Sequence, residues 1–305
     1  MKVLVTGGAG FIGSHLVEKL LAAGDRVRVL DDLSTGKQEN LPRHDALEFV
    51  MGDIRDGELV SRCAAGMDGV VHLAAIASVQ ASIDDPFRTH QVNFDGTLNL
   101  LEASRQHGIK RFLYACSAAV YGDAATVPVS EMAMPNPLSP YAVDKLAGEY
   151  YLLHYHRKYR LAATSFRFFN IYGPRQDPSS PYSGVISIFV DRLQRNQPVT
   201  LFGDGSQTRD FVYVADLTDL LAHALHGEAG IGGVFNVGTG WRHSLLQLLD
   251  HLEKLSGRKI ERHHEPARLG DIQHSCADVN RLRQVFGQAP VTPFDQGLKK
   301  LLESL

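Results

Sequence analysis

The first fifteen residues constrain the fold more than any other stretch. An apolar run, Lys2 to Thr6, passes directly into Thr6-Gly7-Gly8-Ala9-Gly10-Phe11-Ile12-Gly13-Ser14-His15, in which Gly7, Gly10 and Gly13 recur at every third position and a helical pattern follows. Glycines between a strand and a helix allow a tight turn and a close approach of backbone to a pyrophosphate. The helix N-terminus then offers unpaired N–H groups and the positive end of its dipole to that anion. The same pattern can be an ordinary strand-to-helix turn, so the segments downstream have to decide.

They point to a dinucleotide. The second apolar run ends in Val29-Leu30-Asp31-Asp32, where an acidic side chain accepts from the adenosine ribose hydroxyls and repels a 2′-phosphate. Asp31 and Asp32 therefore favour NAD, while Lys37 close by keeps NADP open. Gly52-Asp53-Ile54 follows the third run, with Asp53 able to accept from the adenine amino group and Ile54 to lie on the ring, although Asp53 also reads as a helix cap. After the fourth run, Ala74 and Ala75 are small enough to let a cofactor pass close to the strand end, or are plain core alanines.

Apolar, β-branched runs at Lys2 to Thr6, Arg26 to Leu30, Glu48 to Met51, Gly69 to Leu73, Arg111 to Cys116 and Ala163 to Phe168 alternate with amphipathic segments at Ser14 to Ala23, Arg88 to Gln106 and Pro140 to Tyr159. This rhythm predicts βαβ units, a doubly wound α/β fold with a parallel sheet. From Ile171 the texture changes to Gly, Pro and Ser punctuation, predicting a smaller C-terminal lobe of loops and short elements, with the boundary at residue 170. Val234-Phe235-Asn236-Val237 reads as one more buried strand, so a segment near 208–240 is expected to return to the first domain.

Composition narrows the partners. With 31 basic and 34 acidic residues and a net charge of -3, the chain lacks a polybasic footprint, so nucleic acid and anionic membrane are not expected partners. No apolar stretch approaches membrane-spanning length and the N-terminal run is too short for a signal peptide. Cys63, Cys116 and Cys276 are widely spread, with no C-x-x-C pair, and read as reduced structural thiols of a cytoplasmic protein. His154 with His156, and His263 with His264, come without carboxylates or cysteines at ligand spacing, so no metal is expected.

The chemistry is expected from Ser117, Tyr141 and Lys145. Tyr141 and Lys145 stand four apart in a helical segment and share a face about one turn apart. An ammonium near a phenol stabilises phenolate, and together with an oxidised nicotinamide it lowers the tyrosine pKa from about 10 toward the working pH of a general base. Ser117, at a strand end, can hydrogen-bond the reacting oxygen. A lone Tyr-x-x-x-Lys is usually an exposed amphipathic pair; here it follows a strand-end serine and a dinucleotide loop in order.

Gly7 to Gly13, Ser117-Ala118-Ala119-Val120-Tyr121-Gly122, Ser139-Pro140-Tyr141-Ala142-Val143-Asp144-Lys145 and Arg167-Phe168-Phe169-Asn170 resemble the extended short-chain dehydrogenase/reductases over nearly the whole chain, and most closely their UDP-hexose and UDP-N-acetylhexosamine 4-epimerases. The resemblance implies a Rossmann domain that binds NAD and a UDP-sugar substrate in the smaller lobe. It adds Phe11, Ile12, Leu73 and Phe168 to the cofactor contacts, and Asn93, otherwise a helix-start cap, as support for the cofactor side of the active site. Dehydratases of this family carry Thr-Asp-Glu before Val-Tyr-Gly, and decarboxylases keep a glutamate where Ala119 stands. With Ser117-Ala118-Ala119 both reactions lose their extra acid-base group. What remains is 4-epimerisation: C4 is oxidised, the 4-keto sugar rotates, and hydride returns to its other face. Ala119 also replaces a threonine common in 4-epimerases.

The resemblance further assigns Arg209 and Arg268 to the substrate diphosphate, which suits the planar fork of arginine. It places Asn170 in the same region, Phe202 on the uracil face and Val185 among the substrate contacts. Ser275 falls where some 4-epimerases carry a bulky tyrosine; a small residue there implies acceptance of UDP-GlcNAc and UDP-GalNAc beside UDP-Glc and UDP-Gal. Relatives pair the helices containing Arg88 to Gln106 and Pro140 to Tyr159 into a four-helix contact, which implies a homodimer. A UDP-uronate 4-epimerase or a net oxidoreductase is the alternative within enzymes. A non-catalytic NAD-binding regulator is the alternative of another class, one in which an intact Ser, Tyr and Lys set has no purpose.

Overall fold

The computed structural model describes residues 1–178, 184–267 and 272–305. Six strands, β1 (Lys2–Thr6), β2 (Arg26–Asp31), β3 (Leu47–Met51), β4 (Gly69–His72), β5 (Arg111–Ser117) and β6 (Ala163–Phe168), form a parallel sheet with the later strand Val234–Val237. Across the sheet the order is Val234–Val237, β6, β5, β4, β1, β2, β3. The order reverses between β1 and β4, paired at Thr6↔His72, so the loops after these two strands diverge and open a crevice at their carboxyl ends.

Both faces of the sheet are dry. Val3 and Val5 face one way with Val27, Val29, Val71, Leu113 and Phe166, covered by helices Phe11–Ala22 and Val214–His226. Leu4 faces the other way with Leu30, Val70, Phe112 and Tyr114, covered by helices Gly57–Ala64, Gly96–Gln106 and Pro140–Tyr159. Continuous apolar runs are what a parallel sheet covered on both sides requires, and each fully buried Val or Leu contributes about 1.5–3 kcal/mol.

The helix read from Ser14 begins at Phe11, because Gly10 occupies the cap position and the glycines mask the first turn in the sequence. The helix read from Arg88 begins at Pro86, with Asp85 capping the Arg88 N–H at 3.0 Å. It passes through a π-helical turn at Gln91–Asp95, so Asn93 sits inside a continuous helical run and caps nothing. The C-terminal lobe holds more regular structure than its punctuation suggested: helices Val185–Gln194, Leu245–Ser256 and Phe294–Glu303 pack around Leu201, Leu248, Leu249 and Leu298. Val234–Val237 pairs in parallel with β6, which returns the chain to the main sheet after the lobe has begun. No helix of the described residues is long and apolar enough to cross a membrane.

Candidate active site

The glycine loop leaves no room for side chains. Gly7 adopts φ 69°, where glycine is at ease, and a Cβ there would stand 2.7 Å from the backbone nitrogen of Ala74. A Cβ on Gly13 would stand 2.1 Å from the carbonyl oxygen of Gly7, so the helix can pack on the loop only without one. Gly10 caps the helix without a side-chain acceptor, which leaves the first-turn N–H groups facing the crevice available to an anion.

The two aspartates at the end of β2 part company. Asp31 is buried, and its oxygens accept from the N–H groups of Ala9 and Leu33, both at 2.9 Å, with lone pairs left over for a hydroxyl donor. Burial pushes its carboxyl upward. Asp32 is exposed and accepts from the N–H and hydroxyl of Ser34. The Lys37 side chain is exposed nearby, while its N–H donates to the Ala9 carbonyl. Asp53 is gripped by the Arg55 guanidinium at 2.7 Å, which holds its carboxyl below the usual range. Ile54 is buried against Gly96, where a Cβ would come within 2.5 Å of it.

A buried polar relay underlies the loop after β4. Thr97 donates its hydroxyl to the Asn93 carbonyl at 2.6 Å, so it accepts from Nε2–H of His72 at 2.9 Å. Nδ1 of His72 is then the acceptor for the Thr6 hydroxyl at 2.7 Å, and Thr6 Oγ1 in turn accepts from the Ala74 N–H. Burial holds the imidazole neutral, its pKa well below 6.5. The Asn93 side chain accepts from the Ile76 N–H at 2.8 Å and donates to its carbonyl at 3.1 Å, pinning the other end of Leu73, Ala74 and Ala75. His72 and Thr97 were missed in the sequence because each is one polar residue inside an apolar pattern. The β1–β4 register sets His72 beside Thr6, and the packing of helix Gly96–Gln106 on the sheet brings Thr97 to its other nitrogen.

Ser117 is the last residue of β5, and its Oγ accepts from the Ala119 N–H at 3.2 Å, leaving its own proton to point elsewhere. Tyr141 lies in the first turn of helix Pro140–Tyr159, which opens with Pro140 and is capped by Ser139. Lys145 follows one turn later, buried, with Nζ donating to the Ala115 carbonyl at 2.9 Å and 5.2 Å from the centre of the Tyr114 ring. Burial pushes the Tyr141 phenol up to about 12 against the downward pull of its hydrogen bond with Ser117. Burial also lowers Lys145 to about 8. Behind them, Arg167 pairs with Glu149 of the same helix and donates to the Tyr121 hydroxyl at 2.8 Å, which donates to Asn236 Oδ1 at 2.6 Å.

A cavity of about 250 Å³ opens beside this group, and Ser117, Tyr141, Phe168, Asn170, Arg209 and Ser275 all line it. Residues from β5, the helix Pro140–Tyr159 that follows it, β6 and the distant C-terminal segment thus meet in one cleft. Ala118, Ala119 and His274 line it too, and none of its described lining residues is Asp or Glu. His274, which the sequence did not single out, is held through Nδ1 by the Thr208 hydroxyl at 3.0 Å. Phe202, at the end of strand Val199–Phe202, and Val185, half-buried at the start of helix Val185–Gln194, stand outside that lining. Arg268 lies outside the described residues. Among the described residues no group of three His, Cys, Asp or Glu could hold a metal ion.

Residues 3–238 match the family model described as the NAD dependent epimerase/dehydratase family. The chain is 43% identical to a UDP-glucose 4-epimerase of Mycolicibacterium smegmatis, over 99% of this chain and 98% of that protein. Among solved structures, UDP-glucose 4-epimerase of Thermotoga maritima with UDP-glucose superposes with a TM-score of 0.95 at 40% identity, covering 100% of this chain and 98% of the other. UDP-N-acetylglucosamine 4-epimerase of Methanobrevibacter ruminantium in complex with UDP-N-acetylmuramic acid gives the same TM-score of 0.95 at 35% identity, covering 99% and 97%.

Proposed function

The chain belongs to the NAD-dependent epimerase/dehydratase family, and from that premise we propose that it is a UDP-sugar 4-epimerase, interconverting UDP-GlcNAc and UDP-GalNAc as well as UDP-Glc and UDP-Gal. The observation that carries this reading is the cleft itself: Ser117, Tyr141 and Arg209 line it together, with no carboxylate among the described lining residues. Elimination of water and decarboxylation both need an acid or base beyond the tyrosine.

The cradle fits NAD: without Cβ atoms Gly7 and Gly13 let the loop pack tightly on residue 74 and on the helix, whose first-turn N–H groups suit a pyrophosphate, and Asp31 keeps lone pairs for ribose hydroxyls. Bound NAD supplies the hydride acceptor and, after the sugar turns, the hydride donor. The protein's part is proton transfer and restraint. Tyr141 takes the C4 hydroxyl proton and gives it back, Ser117 holds the reacting oxygen, and Lys145 with the cationic nicotinamide brings the phenol down from about 12 toward neutrality. Arg209 and Asn170, with Arg268, hold the diphosphate, and the Phe202 ring takes the uracil. Rotation of the 4-keto sugar needs space, which Ala118, Ala119 and Ser275 leave. Ser275 leaves room for an acetamido group where a tyrosine would not.

A second reading, a UDP-uronate 4-epimerase, draws on His274, which gives the cleft a further polar contact beside Arg209. The test is an NMR panel in which the enzyme is incubated with acetamido, plain and uronic UDP-sugars and the anomeric protons are followed. Mass-neutral interconversion of UDP-GlcNAc and UDP-GalNAc is the expected result. Conversion of the uronate alone would favour the second reading, accumulation of NADH a dehydrogenase, and no change a regulator.

The assembly we propose is a homodimer through the helical run that contains Arg88 to Gln106 and the helix Pro140–Tyr159. Phe87 is 83% exposed there, with Val143, Tyr150 and Tyr151 also open to solvent, a concentration of apolar surface that a second copy would cover. A concentration-independent monomer mass in solution scattering would count against it. The three cysteines are free and buried, which agrees with a cytoplasmic location.

A further inference from the structure

Three segments far apart in sequence build the substrate side of the cleft: Asn170, Arg209 of the strand Thr208–Arg209, and Ile272, His274 and Ser275. One residue ties all three together. Asp210 is 0% exposed, and its carboxylate accepts from four donors: the Thr239 N–H at 2.8 Å and hydroxyl at 2.6 Å on Oδ1, and the N–H groups of Gly240 at 3.0 Å and Ala277 at 3.1 Å on Oδ2. Its backbone carbonyl accepts from the Asn170 N–H at 3.1 Å and from Asn170 Nδ2 at 3.2 Å. The chain passes so close at residue 238 that a Cβ there would stand 2.6 Å from Oδ2, which only glycine avoids. Asp210 itself does not line the cleft, whereas its neighbour Arg209 does, as does Ser275, two residues before Ala277.

A buried carboxylate held by neutral donors alone is a costly way to gain stability, since an apolar side chain fills the same space without desolvating a charge. What the four donors do fix is register. Arg209 follows the Thr208 backbone, which exchanges hydrogen bonds with Gln273 and Ser275, and Asp210 locks the next residue of that strand onto Ala277. We propose that Asp210 is a positioning residue for the substrate site: by holding residue 210, the 238–240 turn and residue 277 together, it sets the spacing between Arg209 and Ser275, and so the affinity for the nucleotide part of the substrate. The proposal rests on the reading of this cleft as a nucleotide-sugar site.

Asp210→Asn keeps the shape but turns one oxygen into an NH2 that must face N–H groups. The affinity of the holoenzyme for UDP is measured by calorimetry, together with kcat and KM for UDP-GlcNAc and the NAD released on denaturation. The expected result is a UDP dissociation constant and a KM each raised about tenfold, the scale of losing one or two hydrogen bonds to a charged acceptor, with kcat within about threefold of wild type. NAD content should not change, because the glycine loop follows β1 and none of the donors to Asp210 belongs to it. A side chain that merely held the fold together would lower kcat, affinity and NAD content together. Thr239→Val, which removes the hydroxyl donor to Asp210 together with the acceptor of the Trp241 N–H and keeps the Thr239 N–H bond, should move UDP affinity and KM in the same direction by about two- to fivefold, and it decides the matter if the asparagine variant does not fold. UDP affinity within twofold of wild type in a folded Asp210→Asn, or in Thr239→Val where the other does not fold, overturns the positioning role. Failure of the wild-type protein to bind UDP at all overturns the nucleotide-sugar reading and this inference with it.

Discussion

The ammonium of Lys145 donates to the carbonyl oxygen of Ala115 at 2.9 Å, so the end of β5 and the helix carrying Tyr141 are joined by a single buried charge. Ser117 stands two residues beyond that carbonyl and Tyr141 one turn before that lysine, which fixes the two reacting hydroxyls relative to each other. The surrounding apolar core sets the cost of this arrangement and makes it testable by pH.

A value near 8 instead of 10.5 means that charging Lys145 costs about 3 kcal/mol more in the fold than in the unfolded chain. Between those two values the unfolded chain binds more protons than the folded one, so stability rises with pH across that window. Urea unfolding of the wild type should show this rise from pH 8 to 10 relative to Lys145→Met. Parallel pH curves for the two proteins would refute the assignment. The methionine variant should also lose activity, since nothing then stabilises phenolate.

Tyr141→Phe removes the proton acceptor and little else. We expect kcat to fall by about 10²–10⁴-fold, the usual contribution of a positioned acid-base group, with NAD content and Tm unchanged. Full turnover in the variant, read by the anomeric-proton assay, would remove Tyr141 from the mechanism.

His72 predicts acid lability. The folded imidazole stays neutral well below pH 6.5 whereas the unfolded one takes up a proton near that value, so stability should fall as the pH drops below about 6.5. Unfolding free energies measured at pH 7 and pH 5 should differ less in His72→Leu than in the wild type. At pH 7 that variant should be less stable by about 1–3 kcal/mol, because the Thr6 and Thr97 hydroxyls lose their shared partner.

Ser275→Tyr should reduce kcat/KM for UDP-GlcNAc relative to UDP-Glc by about tenfold or more, the scale on which pocket size discriminates between substrates. Steady-state kinetics on the two sugars measures the ratio. An unchanged ratio would mean that Ser275 does not govern the acetamido pocket.

Gly13→Ala should abolish NAD retention, since the new methyl group meets the Gly7 carbonyl at 2.1 Å and neither backbone can yield without opening the turn. The absorbance of cofactor released from the purified variant is the readout. Normal NAD content would show that the loop tolerates the shift.

The sequence by itself determined whatever rests on local periodicity or on spacing within one element. Strands such as Val3-Leu4-Val5 are apolar on both faces because a covered parallel sheet demands it, and Gly7, Gly10 and Gly13 are glycines because their backbones nearly touch. Tyr141 and Lys145 share a helix face whatever the rest of the chain does. Contacts across long sequence separations were decided only by the tertiary structure. His72 becomes a neutral relay between Thr6, set beside it by the β1–β4 register, and Thr97, carried by a packed helix, and Asn93 proves to pin a loop from inside a π turn. Asp210 gathers donors from residues 239, 240 and 277, a set that no pattern around position 210 encodes. The physical reason is common to all three. A buried polar atom has to find a partner, and which partner it finds depends on the elements the folded chain packs around it.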